Sequence, residues 1–229
     1  MLQQVEIPVG LDERSIPAAT EGWIQQLLHR IEAFQDRWEV EQIEQFVAAD
    51  YRFVYQTLSW VRETQLLTNN RFVEWGCGFA AVTTMAAQLG WSAVGIESEE
   101  VLLKHGRRTI ADESESERKQ EGQSAEDRSN SLTCRSGLDV ELIAGNFLPA
   151  GAERLADDPT LPSVGHPTPP AYGTLGLDLD DFGTVYSYPW PGENLFHQMV
   201  FDRYGGRGAL LVEFCGPNEV RVWRKIGDH

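Results

Sequence analysis

Four residues between positions 74 and 97 have the types and spacing of a site for a ligand that contains a nucleoside. Gly76 and Gly78 form a G-x-G turn after a short apolar strand, and glycine lets a ligand approach the backbone closely. Glu97 follows the next apolar run, residues 93–96, where a carboxylate accepts hydrogen bonds from both hydroxyls of a ribose. Glu74 lies two residues before the first glycine, where it would repel a phosphate and attract an ammonium group.

A strand, a turn, a helix and a second strand must follow one another to position these residues. Phe72 and Val73 lead into the turn, an apolar helix runs to about Leu89, and Gly90 ends that helix before the second strand. This order is one βαβ half of a nucleotide-binding sheet. Dinucleotide sites share the glycine spacing, so Glu74 is the residue that favours a cationic ligand over a pyrophosphate.

The segment E-W-G-C-G-F-A, followed by G-I-E, resembles the first two motifs of the class I, Rossmann-like SAM-dependent methyltransferases. Their cofactor, S-adenosylmethionine (SAM), carries an ammonium, a sulfonium and no phosphate. The resemblance covers roughly residues 71–229, and it implies methyl transfer with S-adenosylhomocysteine (SAH) as the product. The cofactor contacts that it implies are Glu74, Gly76, Cys77, Gly78, Ala80, Glu97, Ser98, Asn146 and Phe147.

Asn146 departs from the family, which commonly has Asp at this position to bond the adenine amino group. The side-chain oxygen of an Asn can accept the same bond. An Asn that only turns the chain is the alternative, because Asn is common in turns.

The resemblance implies a doubly wound α/β sheet with helices on both faces. Numbered from the strand at Arg71, its strands take the order 3-2-1-4-5-6, and the last strand is antiparallel at the edge. After Glu97, apolar and alternating runs predict the remaining strands at 140–144, 183–188, 209–214 and 220–223.

Helices precede this sheet, and two insertions interrupt it. Apolar residues at helical spacing from Trp23 to Trp38 and from Ile43 to Val61 predict a helical segment over residues 20–70 that packs on the core or helps to close the cofactor pocket. Residues 71–229 would form the SAM-binding domain. A polar stretch at 112–137 and a proline-rich one at 151–178 are predicted to be flexible.

The acceptor site is expected at the carboxyl end of the fourth strand, because ligands of open α/β sheets bind beyond the carboxyl ends of the strands. Tyr186, Tyr188, Trp190 and Glu193 are the candidate catalytic residues there. A tyrosine hydroxyl or Glu193 would remove a proton, and Trp190 would form an apolar wall. Some methyltransferases that act on amines have a polar residue, two prolines and an aromatic at this position; Tyr-Pro-Trp-Pro is similar in character but differs in the order of its residues.

Composition limits the kinds of partner that the protein is expected to bind. A formal charge of -16 disfavours nucleic acid, so a small molecule or a protein is the expected acceptor. Three widely spaced cysteines and the absence of a signal peptide or a long apolar run predict a cytoplasmic protein without a membrane span. The histidines lack the spacing of metal ligands, so no metal site is expected, and surface or helix positions are the default for them.

Two other functions remain open at this stage. An NAD-dependent oxidoreductase would share the sheet and Glu97, but it would give Glu74 no role. A sensor or scaffold that binds SAM without turnover is the other alternative.

Overall fold

A seven-stranded sheet organises the protein. The computed structural model describes residues 1–36, 46–120, 137–164, 167–217 and 219–227, with side chains left undescribed from 114 to 120. The strands are β1 (Leu2–Val5), β2 (Arg71–Trp75), β3 (Ser92–Glu97), β4 (Val140–Ala144), β5 (Thr184–Ser187), β6 (Leu210–Gly216) and β7 (Glu219–Lys225). Their order is β1-β7-β6-β5-β2-β3-β4. Because β2 is the first strand of the predicted numbering, the expected order 3-2-1-4-5-6 is confirmed.

Strand direction also follows the prediction, with one addition at the edge. Strands β2 to β6 pair in parallel, and β7 is antiparallel to β6. The expectation that this last strand lies at the edge is wrong, because β1 pairs antiparallel with β7 from Leu2 opposite Lys225 to Val5 opposite Val222. The sequence of β1, Leu-Gln-Gln-Val, has no clear alternation, so its partner strand decides its conformation.

Helices cover both faces of the sheet. They are α1 (Ala18–Gln35), α2 (Tyr51–Glu63), α3 (Ala81–Gln88), α4 (Glu100–Gln120), α5 (Tyr172–Leu175) and α6 (Asn194–Tyr204). Alternate residues of β2 enter opposite cores, since Phe72 packs with α1, α2 and α3, whereas Val73 packs with α5 and α6. Both residues are fully buried, which fits a central strand of a parallel sheet.

The two predicted insertions contain some regular structure. The polar stretch at 112–137 begins as part of α4, which continues to Gln120, and residues 121–136 lie outside the described residues. The second insertion contains a 3-10 helix, Ala152–Leu155, and the single turn of α5. Trp38 and Ile43, which belong to the predicted helical stripes, also lie outside the described residues. Within the described part of the chain, the helices are too short or too polar to cross a membrane.

Candidate active site

A cavity of about 1020 Å³ opens at the carboxyl ends of the central parallel strands. Every site residue predicted from the sequence borders it except Ala80, which lies buried behind the glycine turn. The structure therefore gathers into one space residues that are more than a hundred positions apart in the sequence. The residues concerned are Glu74, Gly76, Cys77, Gly78, Glu97, Ser98, Asn146, Phe147, Tyr186, Tyr188, Trp190 and Glu193.

The turn between β2 and α3 depends on three residues with positive φ. Gly76 and Gly78 have φ of 70° and 51°, and Ala80 has φ of 55°. A Cβ added at Gly76 would meet no atom within 4 Å, whereas one at Gly78 would lie 2.7 Å from Phe46. The backbone of the turn at Gly76 is thus open to the cavity, while Phe46, just before α2, packs against Gly78.

Glu74 lies at the end of β2 and is 4 % exposed. Its Oε2 accepts hydrogen bonds from the backbone nitrogen of Thr83 at 2.7 Å and from Thr83 Oγ1 at 2.5 Å. No described residue bonds Oε1. Burial raises the pKa of Glu74 to about 8, although the bonds from Thr83 lower it. Without a ligand the carboxyl is therefore mostly protonated at neutral pH, and a cation bound beside it would favour its ionised form.

Glu97 ends β3 and holds the two loops that flank it. Its Oε2 accepts from the Gly78 nitrogen at 2.8 Å, and Oε1 accepts from the Glu99 nitrogen at 2.9 Å. Burial raises its pKa, and the backbone hydrogen bonds oppose that rise. Ser98 Oγ also lies 3.5 Å from Oε1. Oε2 keeps a second lone pair, so Glu97 can accept a ligand hydroxyl as well.

Cys77, between the two glycines, is buried. Burial, followed by the charges of Glu74 and Glu97, raises the pKa of its thiol well above the usual value. The thiol therefore stays protonated, which is unsuited to nucleophilic catalysis.

Asn146 and Phe147 follow β4 on the other side of the cavity. Asn146 Oδ1 accepts from the Leu148 nitrogen at 2.9 Å, so the side chain turns the chain as the alternative interpretation expected. Its second lone pair leaves an adenine contact available. Phe147 stacks on Trp75 with ring centroids 5.2 Å apart and planes inclined by 16°.

Aromatic residues from β5 and the loop after it form the opposite wall. Tyr186 is 2 % exposed, and its hydroxyl has no hydrogen-bond partner among the described residues. Tyr188 contacts the edge of Phe214, and Trp190 lies further along the same loop. Tyr51, the first residue of α2, also borders the cavity, so a helix before the first central strand contributes to the site.

A polar cluster lies beside this wall, in which Ser187, Glu193 and His197 are buried and Ser163 is partly buried. Ser163 donates to both oxygens of Glu193, from its nitrogen at 2.9 Å and from its hydroxyl at 2.7 Å. His197 Nε2 lies 3.1 Å from Ser163 Oγ and 3.7 Å from Glu193 Oε2, and its Nδ1 lies 2.6 Å from Ser187 Oγ. Burial raises the pKa of Glu193, but hydrogen bonds from His197 and Ser163 outweigh it and hold the pKa below its usual value.

His197 is the functional candidate that sequence reasoning missed. It is 3 % exposed and packs edge-on against Trp75 and Phe147, with centroids 5.5 and 5.3 Å apart. The available signal was the spacing of Glu193 and His197, four residues apart at the start of a helix, which brings two side chains together. Ser163 gave no signal, because its loop has no regular pattern.

Comparisons with known proteins give only distant likenesses. No family model and no curated protein matches the chain. A methyltransferase from Geobacter sulfurreducens has a TM-score of 0.49 at 10% identity over 93% of this chain and 98% of its own. An RNA methyltransferase from Salinibacter ruber, solved with S-adenosyl-L-homocysteine, has a TM-score of 0.42 at 15% identity over 77% and 92%. Precorrin-6y C5,15-methyltransferase from Geobacter metallireducens has a TM-score of 0.42 at 14% identity over 78% and 69%. At such scores the function has to be argued from the site itself.

A metal site needs several ligand side chains close together, and the residues that the structure describes provide no such group. No group of three or more His, Cys, Asp or Glu side chains in those residues is arranged to hold a metal ion.

Proposed function

We propose that the protein binds SAM at the glycine turn and transfers its methyl group to an acceptor held at the end of β5. The observation that carries this proposal is Glu74, a buried carboxyl beside the turn with one oxygen available to a ligand. A phosphate would be repelled by the ionised form of this group and would oppose its ionisation, whereas an ammonium would be attracted to the ionised form and would favour it. SAM presents an ammonium and no phosphate, which favours it over NAD.

The rest of the cavity suits the ribose and the adenine of SAM. Glu97 would accept the ribose hydroxyls while it keeps its bonds to the loops on either side. Phe147, already stacked on Trp75, offers a flat surface to the adenine, and Asn146 Oδ1 has a lone pair for its amino group. Cys77 and Ser98 border the same space as small side chains beside the ligand.

SAM supplies an activated methyl group, so the protein has to align an acceptor, exclude water and receive a proton. Tyr188 and Trp190 border the part of the cavity next to the glycine turn and would orient the acceptor. Glu193 and His197, joined through Ser163, would receive the proton. A buried pair of this kind supports an enzyme rather than a sensor, because binding alone needs no proton acceptor.

A transfer experiment separates the enzyme from a protein that only binds SAM. The protein is incubated with SAM carrying a labelled methyl group and with a cell extract, and the label outside SAM is counted. Trp190→Ala and Tyr188→Ala are expected to lose transfer while they retain SAH binding, because each removes an aromatic ring of the acceptor wall. Glu63→Gln, which changes an exposed carboxylate paired with Arg14, should behave as the wild type. SAH binding without any transfer by the wild type would refute the enzymatic part of the proposal.

A further inference from the structure

The acidic side chains that border the cavity outnumber the basic ones. Among the described residues that line it, four are carboxylates, Glu74, Glu97, Glu99 and Glu193, and none is a lysine or an arginine. His197 is the one lining residue of that set with a basic side chain. An acceptor with a carboxylate or a phosphate would therefore enter without a countercharge.

Aromatic rings line the acceptor end of the same cavity. Tyr51, Tyr186, Tyr188 and Trp190 all border it, and the faces of such rings attract cations. The Tyr186 hydroxyl is buried without a partner among the described residues, and a buried hydroxyl normally finds one. A polar atom of the ligand is a suitable partner for it.

The tyrosines of the site indicate how the cavity affects the ionisation of a phenol. Burial, followed by the charge of Glu74, raises the pKa of both Tyr51 and Tyr186. The cavity would likewise oppose the ionisation of an acceptor hydroxyl to an oxyanion, because the negative charge would be desolvated beside carboxyl groups. An uncharged amine attacks through its lone pair, and the positive charge that it gains is the sign that the cavity favours.

We infer that the methyl acceptor is an amine, bound with its nitrogen against the aromatic wall of Tyr188 and Trp190. The inference rests on the proposed methyl transfer. The nitrogen lone pair forms the new N–CH3 bond as the S–CH3 bond of SAM breaks, and the bonding pair of that bond stays on sulfur as SAH forms. The nitrogen then carries the positive charge, and its N–H proton passes through Ser163 Oγ to the pair of Glu193 and His197.

Three small probes of similar size test the preference without knowledge of the whole acceptor. Tetramethylammonium, tert-butanol and pivalate present a cation, a neutral group and an anion of nearly the same shape. Each is titrated into the protein saturated with SAH and followed by ligand-observed nuclear magnetic resonance. Tetramethylammonium is expected to bind about tenfold more tightly than tert-butanol, and pivalate should show no saturable binding.

Controls separate the inference from the function on which it rests. Trp190→Ala should reduce the affinity for tetramethylammonium about fivefold, and Glu63→Gln, which changes an exposed residue outside the cavity lining, should leave it unchanged. SAH binding is measured first in every sample. Failure to bind SAH would refute the proposed function, whereas normal SAH binding with equal affinities for the three probes, or with no probe binding, would overturn the amine inference alone.

A second measurement identifies the source of the amine. The products of the labelled-methyl incubation are separated by size and then examined for the atom that carries the label. Label on nitrogen in the small-molecule fraction indicates a free amine, and label on lysine side chains indicates a protein acceptor; either result supports the inference. Label on oxygen or carbon would overturn it.

Discussion

Raising the pH from 6 to 8 is expected to strengthen the binding of SAM, because Glu74 has to lose a proton before it can pair with an ammonium. Burial holds the pKa of this carboxyl at about 8 in the unliganded protein. At pH 7 only about one tenth of the molecules have it ionised, and at pH 6 about one hundredth. Since the apparent dissociation constant is divided by the competent fraction, affinity should rise about tenfold per pH unit between 6 and 7.

Isothermal titration calorimetry in buffers with different ionisation enthalpies measures the linked proton directly. About one proton should be released per SAM bound at pH 7, because the bound ammonium lowers the pKa of Glu74. Glu74→Gln should release almost none and should lose the steep pH dependence, while Glu63→Gln should keep both. Equal SAM affinity at pH 6 and pH 8 in the wild type would refute the reasoning.

The raised pKa of Glu74 also predicts how the stability of the unliganded protein depends on pH. Its pKa is raised from 4.5 to about 8 on folding, so the folded state binds more protons than the unfolded state between these values. Stability therefore falls as the pH rises from about 5 to 8. The melting temperature of Glu74→Gln should fall less over this range than that of the wild type. A parallel decline in the two proteins would contradict the assignment.

Three substitutions test residues that bind the cofactor or hold the site in place, and a fourth serves as a control. Thr83→Val removes the hydroxyl that donates to Glu74 and should weaken SAM by about tenfold with little change in fold, as calorimetry and circular dichroism would measure. Glu97→Ala should weaken SAM by roughly ten- to a hundredfold, and unchanged affinity would argue against a ribose contact. Gly95→Ala places a Cβ within 2.8 Å of Leu142, Thr83 and Cys77 and should lower the free energy of unfolding by about 1–3 kcal/mol. Gly173→Ala, which meets no atom within 4 Å, should stay within about 0.5 kcal/mol of the wild type in the same urea titration.

The part of the site that could be predicted is local in sequence. Glu74, the glycine turn and Glu97 lie within a single βαβ unit, whose periodicity and glycines determine both the elements and their order. The topology of a doubly wound sheet then brought Asn146 and Tyr186 to the same edge, because the carboxyl ends of parallel strands share it. These residues follow from rules that need no knowledge of distant contacts.

The part that escaped prediction depends on contacts between distant segments. Ser163 and Glu193 lie 30 positions apart in the sequence, and nothing in the neighbourhood of Ser163 indicates the pairing. Glu193 was predicted as a possible proton acceptor, but its position before a helix gave no indication that its carboxylate is buried against Ser163. Strand β1 was missed for a similar reason, since the free edge of β7 imposes its conformation.

Calorimetric titration of the wild-type protein with SAM, SAH and NAD at pH 8 tests the central claim most directly. The site geometry predicts saturable binding of one SAM or SAH per chain and no detectable binding of NAD, because Glu74 favours an ammonium and repels a pyrophosphate. Saturable binding of NAD, with no heat from SAM or SAH, would contradict the account.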